Sequence, residues 1–343
     1  MKKIFIAIVA LAAATACSNS EIVSVNREAI GFDNAFINNS VRSVNDPSWA
    51  NDNLFGDFAV YGCVESASLF DNVEVEGPNW TYTNTQYWIT GAKYNFAAIA
   101  PFANGQSGVF SVAADANNNY VGTTTLPFTN VDGTNDLLYA QNAQIVGASS
   151  GNNSTVEFNF RHVLSKVKFS FENAYNASTA TIKVYDVKIE NAWESATATL
   201  GETSTAWGSH AGDVVLLFGN ASDDEATTDV KEKVEVAYAY GKTYETLNER
   251  LLIPGVAPAV TGVNNVTNAY KVTFKVDLLV NGTKIKEYAH TAYVEFAPVA
   301  GYSYDIKAEI NAENIDPANE QEPIEFTVTN IGGWETTDEN KTM

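Results

Sequence analysis

Residues 270–296 read YKVTFKVDLLVNGTKIKEYAHTAYVEF, and this segment indicates the fold class of the chain. From Tyr270 to Val276 every second residue is apolar, which places one side of a strand on a core and the other side in water. Asn281-Gly282 separates this run from a second strand-like run over residues 284–296, and such a pair is a strong signal for a two-residue hairpin turn. The segment predicts an antiparallel β-hairpin.

Similar short runs of β-branched and aromatic residues recur along the chain, separated by clusters of Gly, Asn, Asp and Pro. Asn- and Asp-rich stretches, including residues 115–120 and 220–229, are predicted to be surface loops. No long stretch has a helical period, and only residues 161–166 look helical. The sequence therefore predicts an all-β protein. The predicted strands cover residues 55–64, 94–99, 108–112, 155–160, 167–171, 181–190, 231–240, 270–280, 284–296 and 302–310.

The chain of 343 residues is longer than one typical hydrophobic core requires, so two domains are expected. We place the seam between two β-sandwiches at the helix-like segment. The predicted parts are a signal peptide (1–17), a tether that includes a short strand-like segment (18–42), an N-terminal sandwich (43–161) and a C-terminal sandwich (162–343).

The N-terminus reads MKKIFIAIVALAAATAC, with two lysines, an apolar run and small residues before Cys17. This order is typical of a secretory signal peptide, and the apolar run is too short for a permanent membrane span. It resembles a bacterial lipobox, which implies that the Cys17 sulfur is acylated and that Cys17 becomes the mature N-terminus. The alternative is an ordinary signal peptide with a chance cysteine. If Cys17 carries lipid, Cys63 is left as a free thiol in a strand-like run.

The composition excludes several classes of function. The net charge is -21, so the surface repels phosphate backbones and the chain is not expected to bind nucleic acid. The same charge opposes docking on anionic lipid, so we expect the outer membrane to hold the protein through the acyl group alone. Hydrophobic residues make up 45% of the chain, which excludes intrinsic disorder.

No catalytic or metal-binding motif stands out. The three histidines, His162, His210 and His290, are far apart in sequence and lie in no known metal or nucleophile motif. Residues 132–136 have the composition of a calcium loop but not its spacing. We expect no enzyme activity, no cofactor and no catalytic metal, and a structural Ca²⁺ at residues 132–136 is the weaker alternative.

Four aromatic residues, in contrast, could stack on sugars. Alternating aromatics in a strand more often pack a core, so the sugar-binding hypothesis is the weaker one. The four are Trp80, Tyr82, Tyr87 and Trp88.

Several segments in order resemble the fimbrillin family, the major fimbrial subunits of Bacteroides-type bacteria. The resemblance implies two tandem Greek-key (transthyretin-like) β-sandwich domains, secretion as a lipoprotein, and polymerisation with other fimbrial subunits into a surface fibre for adhesion. It also gives His162 a structural role. The matching segments are FNFRHVLSKVKF (158–169), DLLYA (136–140), YNFAAIAP (94–101), LLIP (251–254) and the terminal IEFTVT…GW (324–334).

The resemblance further implies that a trypsin-like protease cleaves the exported chain after an arginine. Arg42 lies in the polar stretch NNSVRS, which a protease can enter. We therefore predict cleavage between Arg42 and Ser43. The alternative is that Arg42 is only a solvated loop residue.

Cleavage at Arg42 would release a short strand-like segment that carries Ile30 and Phe32 on one face. The spacing Ile-x-Phe recurs near the C-terminus, where Ile324, Phe326 and Val328 share a face. We predict that this C-terminal segment of one subunit refills the groove that the first strand leaves in another, so that subunits join head to tail. The alternative is that residues 324–329 pair within their own domain.

A second function from a different class is a monomeric outer-membrane surface lipoprotein that binds a glycan or a small ligand. Such a protein would keep residues 18–42, whereas a polymerising subunit would lose them.

Overall fold

The computed structural model describes residues 28–37, 57–102, 105–175, 180–218, 234–237, 245–246, 249–315 and 324–333. The predicted signal peptide, Cys17, Arg42 and Ser43 lie outside these ranges, as does the predicted loop at 220–229. Across the described residues, no helix has the length and apolar character needed to cross a membrane.

The described residues form β-strands and one helix of four residues, which confirms the prediction of an all-β protein. The tandem Greek-key arrangement stays a prediction. The elements are β1 (Phe32–Ile37), β2 (Asp57–Val64), β3 (Ala67–Glu76), β4 (Lys93–Ala100), β5 (Val109–Ala114), β6 (Tyr120–Thr129), β7 (Leu138–Gln141), β8 (Ile145–Val146), β9 (Val156–His162), β10 (Ser165–Asn173), β11 (Ala180–Leu200), β12 (Thr205–Phe218), β13 (Val234–Ala237), β14 (Glu245–Thr246), β15 (Arg250–Leu252), β16 (Tyr270–Val280), β17 (Thr283–Val294), β18 (Tyr302–Ile310), α1 (Ala312–Ile315) and β19 (Phe326–Gly333).

These strands make three sheets. The first sheet has the order β1-β9-β7-β4-β2-β3, and β8 also pairs with β4. The second sheet has the order β17-β16-β11-β6-β5, and β12 and β13 also pair with β11. We call it the shared sheet, because its strands pack against two different hydrophobic cores. The third sheet has the order β14-β10-β18-β19, and β15 also pairs with β10.

The long strand β11 connects the two halves of the shared sheet. Its first part pairs with β16 through residues 180–189, and its last part pairs with β6 through residues 195–200. Buried and half-buried side chains alternate along most of its 21 residues, so one strand serves two cores. The shared sheet runs across the predicted division at residues 161 and 162, and the domain boundaries stay a prediction.

Three hydrophobic cores follow from this arrangement. The first core lies on one face of the first sheet and includes side chains from β1, β2, β3, β4, β7 and β9. The second core lies on the other face, against β6 and the end of β11. The third core lies between the third sheet and the β11–β16 part of the shared sheet. The first sheet is therefore buried on both faces, which explains why β4 is almost uniformly apolar.

The hairpin predicted from residues 270–296 is confirmed. Strands β16 and β17 pair antiparallel from Tyr270–Val294 to Val280–Thr283. Asn281 and Gly282 form the turn with φ values of 50° and 77°. Two successive positive φ values are what a type I′ turn requires, and Asn-Gly adopts them at low cost.

The interpretation of residues 161–166 as helix-like is wrong. Strand β9 continues through His162 and β10 begins at Ser165, so only a two-residue connection separates two strands. Val163 and Leu164 in that connection are fully buried in the second core. Apolar burial, and not helical periodicity, explains the composition of this segment.

Candidate assembly site

The N-terminal segment, residues 28–37, lies at an edge of the first sheet. Its strand β1 runs parallel to β9, with Phe32 opposite Val156. The Ile30 amide donates to the Gln86 carbonyl at 2.8 Å, and the Val156 amide donates to the Gly31 carbonyl at 2.8 Å. Backbone hydrogen bonds on both sides therefore hold the segment in place.

The side chains of this segment complete the first core. Ile30 is 1% exposed and Phe32 is 5% exposed, so both predicted residues of the removable strand are buried. The Phe32 ring lies edge-on to Phe70 at 5.5 Å and to Tyr82 at 5.4 Å between centroids, and it stacks on Phe158 at 5.9 Å.

We call the rings of Phe70, Tyr82, Phe96 and Phe158 the aromatic groove. Phe96 lies 6.2 Å from Phe32 between ring centroids. The Tyr82 hydroxyl also donates a hydrogen bond to the Ile30 carbonyl at 2.7 Å. Without the segment, this groove would present aromatic surface and an unpaired strand edge to water.

A carboxylate clamp fixes the start of the segment. Glu28 Oε2 accepts hydrogen bonds from the Asn153 side-chain amide at 2.7 Å, from the Gly151 backbone amide at 2.8 Å and from the Asn153 backbone amide at 3.2 Å. These donors, with the Asn153 side chain first, lower the pKa of the Glu28 carboxyl below its ordinary value. Sequence reasoning missed Glu28, since nothing in the sequence links it to a loop more than a hundred residues away.

The predicted donor strand packs within its own chain. Strand β19 pairs antiparallel with β18 at the edge of the third sheet, and Ile324 is 3% exposed. The Phe326 ring lies edge-on to Phe169 at 5.8 Å and to Phe274 at 5.7 Å. This is the pairing that the alternative hypothesis described, so the donor role of Ile324, Phe326 and Val328 stays a prediction.

The two candidate strands share one feature of position. Each is the last strand at one edge of its sheet, β1 in the first sheet and β19 in the third sheet. An edge strand can leave without splitting a sheet, and the edge it leaves can accept another strand. Donor and acceptor would belong to different surfaces, so contact between copies would be head to tail.

The four aromatics that could stack on sugars mostly serve the first core. Trp88 is 8% exposed and its ring lies 4.7 Å from Tyr94, while Trp80 packs on Phe58 at 5.4 Å. The Trp88 amide also donates to the Glu28 carbonyl at 2.9 Å. Tyr87, at 42% exposed, is the one of the four that faces water most.

The three histidines do not come together. His162 Nδ1 lies 2.7 Å from an Asp136 carboxylate oxygen, and His210 Nε2 lies 2.8 Å from the Pro254 carbonyl. His290 stacks on Phe274, and burial lowers the pKa of His290 to about 4. Within the described part of the chain, no three His, Cys, Asp or Glu side chains form a possible metal site.

The second cysteine is a buried free thiol. Cys63 is 5% exposed, and burial raises the pKa of its thiol. A raised thiol pKa disfavours the reactive thiolate, so Cys63 has a packing role.

Comparison with known families gives one match. The profile of a family described as Fimbrillin-like matches residues 42–330. None of the curated protein sequences compared with the chain matches it.

Several solved structures are similar to this one. A Bacteroides uniformis protein described as a cell adhesion protein has 15% identity, with a TM-score of 0.45, and the match covers 90% of this chain and 99% of that chain. A Bacteroides ovatus protein described in the same way has 16% identity and a TM-score of 0.45, covering 92% and 100%. A fimbrial anchor protein from Porphyromonas gingivalis has 10% identity and a TM-score of 0.36, covering 90% and 99%.

Proposed function

Since the chain belongs to the fimbrillin-like family, we propose that it is a structural subunit of a cell-surface fimbria that supports adhesion. Family membership supports the fimbrial role. Export, maturation and assembly are proposed here from the residues and from the position of the N-terminal segment.

Export as a lipoprotein follows from the N-terminal sequence. Acylation of Cys17 would hold the precursor at the outer membrane, because the chain is acidic and has no electrostatic attraction to anionic lipid. Intact-mass analysis of the membrane fraction tests this step. We expect a lipid-modified Cys17 N-terminus, and a Cys17→Ala variant that keeps its membrane association would contradict it.

Maturation removes the tether together with the N-terminal segment. A trypsin-like protease would cut between Arg42 and Ser43, and residues 28–37 would then be held only by their non-covalent contacts. The burial of Ile30 and Phe32 is the observation that carries this proposal. Each buried side chain contributes roughly 1.5–3 kcal/mol, so the segment stabilises the precursor and leaves a high-energy groove when it departs.

Assembly refills the groove with β19 of another subunit. Ile324-x-Phe326 reproduces the spacing of Ile30-x-Phe32. The donor Ile and Phe would therefore occupy the two buried positions that Ile30 and Phe32 leave empty. In leaving β18, the donor strand gives up its own ladder and the contacts of Phe326 with Phe169 and Phe274. The exchange is favourable only if the new ladder and the aromatic groove offset that loss.

A peptide tests this step without disturbing the fold of the subunit. The peptide of residues 324–333 (IEFTVTNIGG) should cap chains cleaved after Arg42 and shorten the fibre ladder seen on unboiled gels. The matched control is the same peptide with Phe326→Asp, which should not cap. Equal ladders with both peptides would exclude β19 as the donor.

N-terminal sequencing of the surface form separates the proposal from its alternative. A fimbrial subunit should begin at Ser43, and an Arg42→Ala precursor should stay monomeric while Arg27→Ala polymerises normally. A surface form that retains residues 18–42 would favour the monomeric lipoprotein that binds a glycan or small ligand.

A further inference from the structure

Strand β5 lies at one edge of the shared sheet. It pairs with β6 on one side, and no other described strand pairs with it on the opposite side. Its sequence, VFSVAA, contains no charged residue and no proline. Its six pairs with β6 run without a register shift. An uncharged, regular edge strand of this kind is a template for pairing with another strand.

Other edge strands carry the features that normally block such pairing. Strand β3, at the edge of the first sheet, contains three acidic residues, and its pairing with β2 shifts register. Strand β17, at the opposite edge of the shared sheet, carries Lys284, Lys286 and Glu287. Strand β19 is uncharged, but its pairing with β18 shifts register. Charges and irregular pairing protect an edge from a further strand, and β5 has neither.

The hydrogen bonds of the β5–β6 hairpin show which backbone groups of β5 point outward. At the end of the hairpin, the Asp115 amide donates to the Asn119 carbonyl at 2.7 Å. Hydrogen-bonded pairs alternate along an antiparallel ladder, so the odd-numbered residues of β5 bond to β6 and the even-numbered residues do not. The N–H and C=O groups of Phe110, Val112 and Ala114 therefore point away from β6, towards the edge.

The side chains of β5 leave these backbone groups accessible. The Phe110 ring leans back over β6, where a Cβ added at Gly122 would lie 2.6 Å from it, and the ring packs against the second core. Val109, Ser111 and Ala113 are exposed on the other face of the sheet. Side chains of a strand stand roughly perpendicular to the sheet, so neither set covers the edge.

A second copy of this chain fits the edge through a two-fold axis at Val112. The two β5 strands then run antiparallel, with Val112 opposite itself and Phe110 opposite Ala114 of the second copy. All the outward backbone groups of both strands form ladder bonds, and each large Phe110 side chain lies beside a small one. The nearest charge is Asp115, and its two copies lie at opposite ends of the pair, about 20 Å apart, which is beyond the screening length.

The charge of the chain favours this contact over others between copies. Two chains with a net charge of -21 repel each other, and β5 gives them an uncharged surface at which to meet. The contact uses the same surface on both copies, so it closes after two chains and leaves β1 and β19 untouched. We propose that two copies of this chain join edge to edge through β5, an association beyond the head-to-tail assembly proposed above.

A charge introduced on β5 tests the contact in the uncleaved full chain, which carries Cys17→Ser so that residue 17 holds neither lipid nor a thiol. Ser111→Glu places a carboxylate on the exposed face of β5. In the two-fold pair this carboxylate lies diagonally from its own copy and from Asp115 of the second copy, giving three like-charge pairs at roughly 7–8 Å. The matched control is Thr199→Glu, an exposed position on the same face of the sheet but two strands further from the edge.

A cross-link tests the register. Ser111 of one copy lies opposite Ala113 of the other in a non-hydrogen-bonded pair, whose Cα atoms are about 4.5 Å apart and suit a disulfide. A Ser111→Cys chain mixed with an Ala113→Cys chain should therefore form a disulfide-linked dimer on oxidation. Either chain alone should cross-link much less, because identical positions lie diagonally and their Cα atoms are more than about 7 Å apart.

We expect the unmodified chain to dimerise with rising concentration in analytical ultracentrifugation. Ser111→Glu should weaken dimerisation by about tenfold, the cost of the three like-charge pairs. Thr199→Glu should change it by less than about twofold, because three strand spacings exceed the screening length. Circular dichroism checks the fold of each variant, and the cross-link keeps the test valid if Ser111→Glu misfolds.

Three results would overturn the proposal. The first is a chain that stays monomeric up to about 1 mM. The second is equal weakening by Ser111→Glu and Thr199→Glu, which would place the contact on the face of the sheet and not on its edge. The third is cross-linking of either cysteine variant alone as readily as the mixture. All these measurements use uncleaved chains, so a failure of fibre assembly would not change them.

Discussion

Replacing Phe32 by alanine would measure how strongly the N-terminal segment stabilises the precursor. Phe32 is 5% exposed and lies among four aromatic rings with centroid distances of 5.4–6.2 Å. Truncating a buried phenylalanine in such a site costs about 3–5 kcal/mol, from lost burial and from the cavity that remains. The groove is at a sheet edge and can partly collapse, so we expect about 3 kcal/mol, the low end of this range.

The assay is urea unfolding of the uncleaved precursor, followed by fluorescence. Phe158→Ala is the matched control, because Phe158 is 1% exposed in the same groove but belongs to β9, which remains after cleavage. After cleavage at Arg42 and separation of the released peptide, Phe32→Ala should be as stable as the unmodified chain, whereas Phe158→Ala should stay destabilised. A loss below about 1 kcal/mol in the Phe32→Ala precursor would refute the reasoning, because it would mean that the groove gains little from its occupant.

Three further predictions concern single side chains. Hydrogen bonding lowers the pKa of the Glu28 carboxyl below its ordinary 4.5. The clamp therefore stabilises the N-terminal segment above that pH, and this stabilisation is lost as the pH falls. Glu28→Gln should flatten the pH dependence of the segment's resistance to proteolysis. Burial lowers the pKa of His290 from 6.5 to about 4, so the unfolded chain binds the extra proton and stability should fall as pH drops through this window. His290→Phe should remove that slope in urea titrations. A Cβ at Gly62 would lie 2.9 Å from both Phe70 and Phe96, so Gly62→Ala should lower the unfolding free energy by roughly 1–3 kcal/mol, measured by the urea midpoint.

Strands with strict alternation could be predicted from the sequence. The runs at 270–280 and 302–310 coincide with β16 and β18, because every second side chain in them meets a core. Strand β3 is not predicted, because Phe70 and Val75 are its two buried side chains and Ser, Asp, Asn and Glu interrupt its other apolar residues. Strand β12 was missed because Gly, Ser and His interrupt its apolar pattern where its pairing with β11 changes register.

Pairing between distant strands could not be predicted at all. The prediction of a strand at 181–190 found the first half of β11, but nothing local indicates that the small residues after Trp193 continue the strand into a second core. The partner of that second half is β6, which is rich in threonine and contains Pro127. Tertiary contacts decide whether these residues form strands and which strands pair, and a single sequence does not contain that information.

The candidate assembly site, too, could be predicted from the sequence only in part. Ile30 and Phe32 were found because alternation within four residues is a local signal. The aromatic groove that receives them comes from strands around residues 70, 96 and 158, so it follows only from the fold.

The central claim is that the N-terminal segment must leave its groove before subunits can join. Ala29 and Tyr87 face each other in an antiparallel bridge, and both are exposed. The Cα atoms of such a pair lie about 4.5–5.5 Å apart, which suits a disulfide. A precursor with Ala29→Cys and Tyr87→Cys therefore ties the segment to the groove even after cleavage at Arg42. Each single cysteine variant is the control.

The measurement is the fibre ladder on unboiled gels after trypsin-like cleavage, with and without a reducing agent. We predict that the oxidised double variant stays monomeric, that reduction restores polymerisation, and that both single variants polymerise under either condition. A full ladder from the oxidised, cleaved double variant would contradict the account, because subunits would then join while the groove is still occupied.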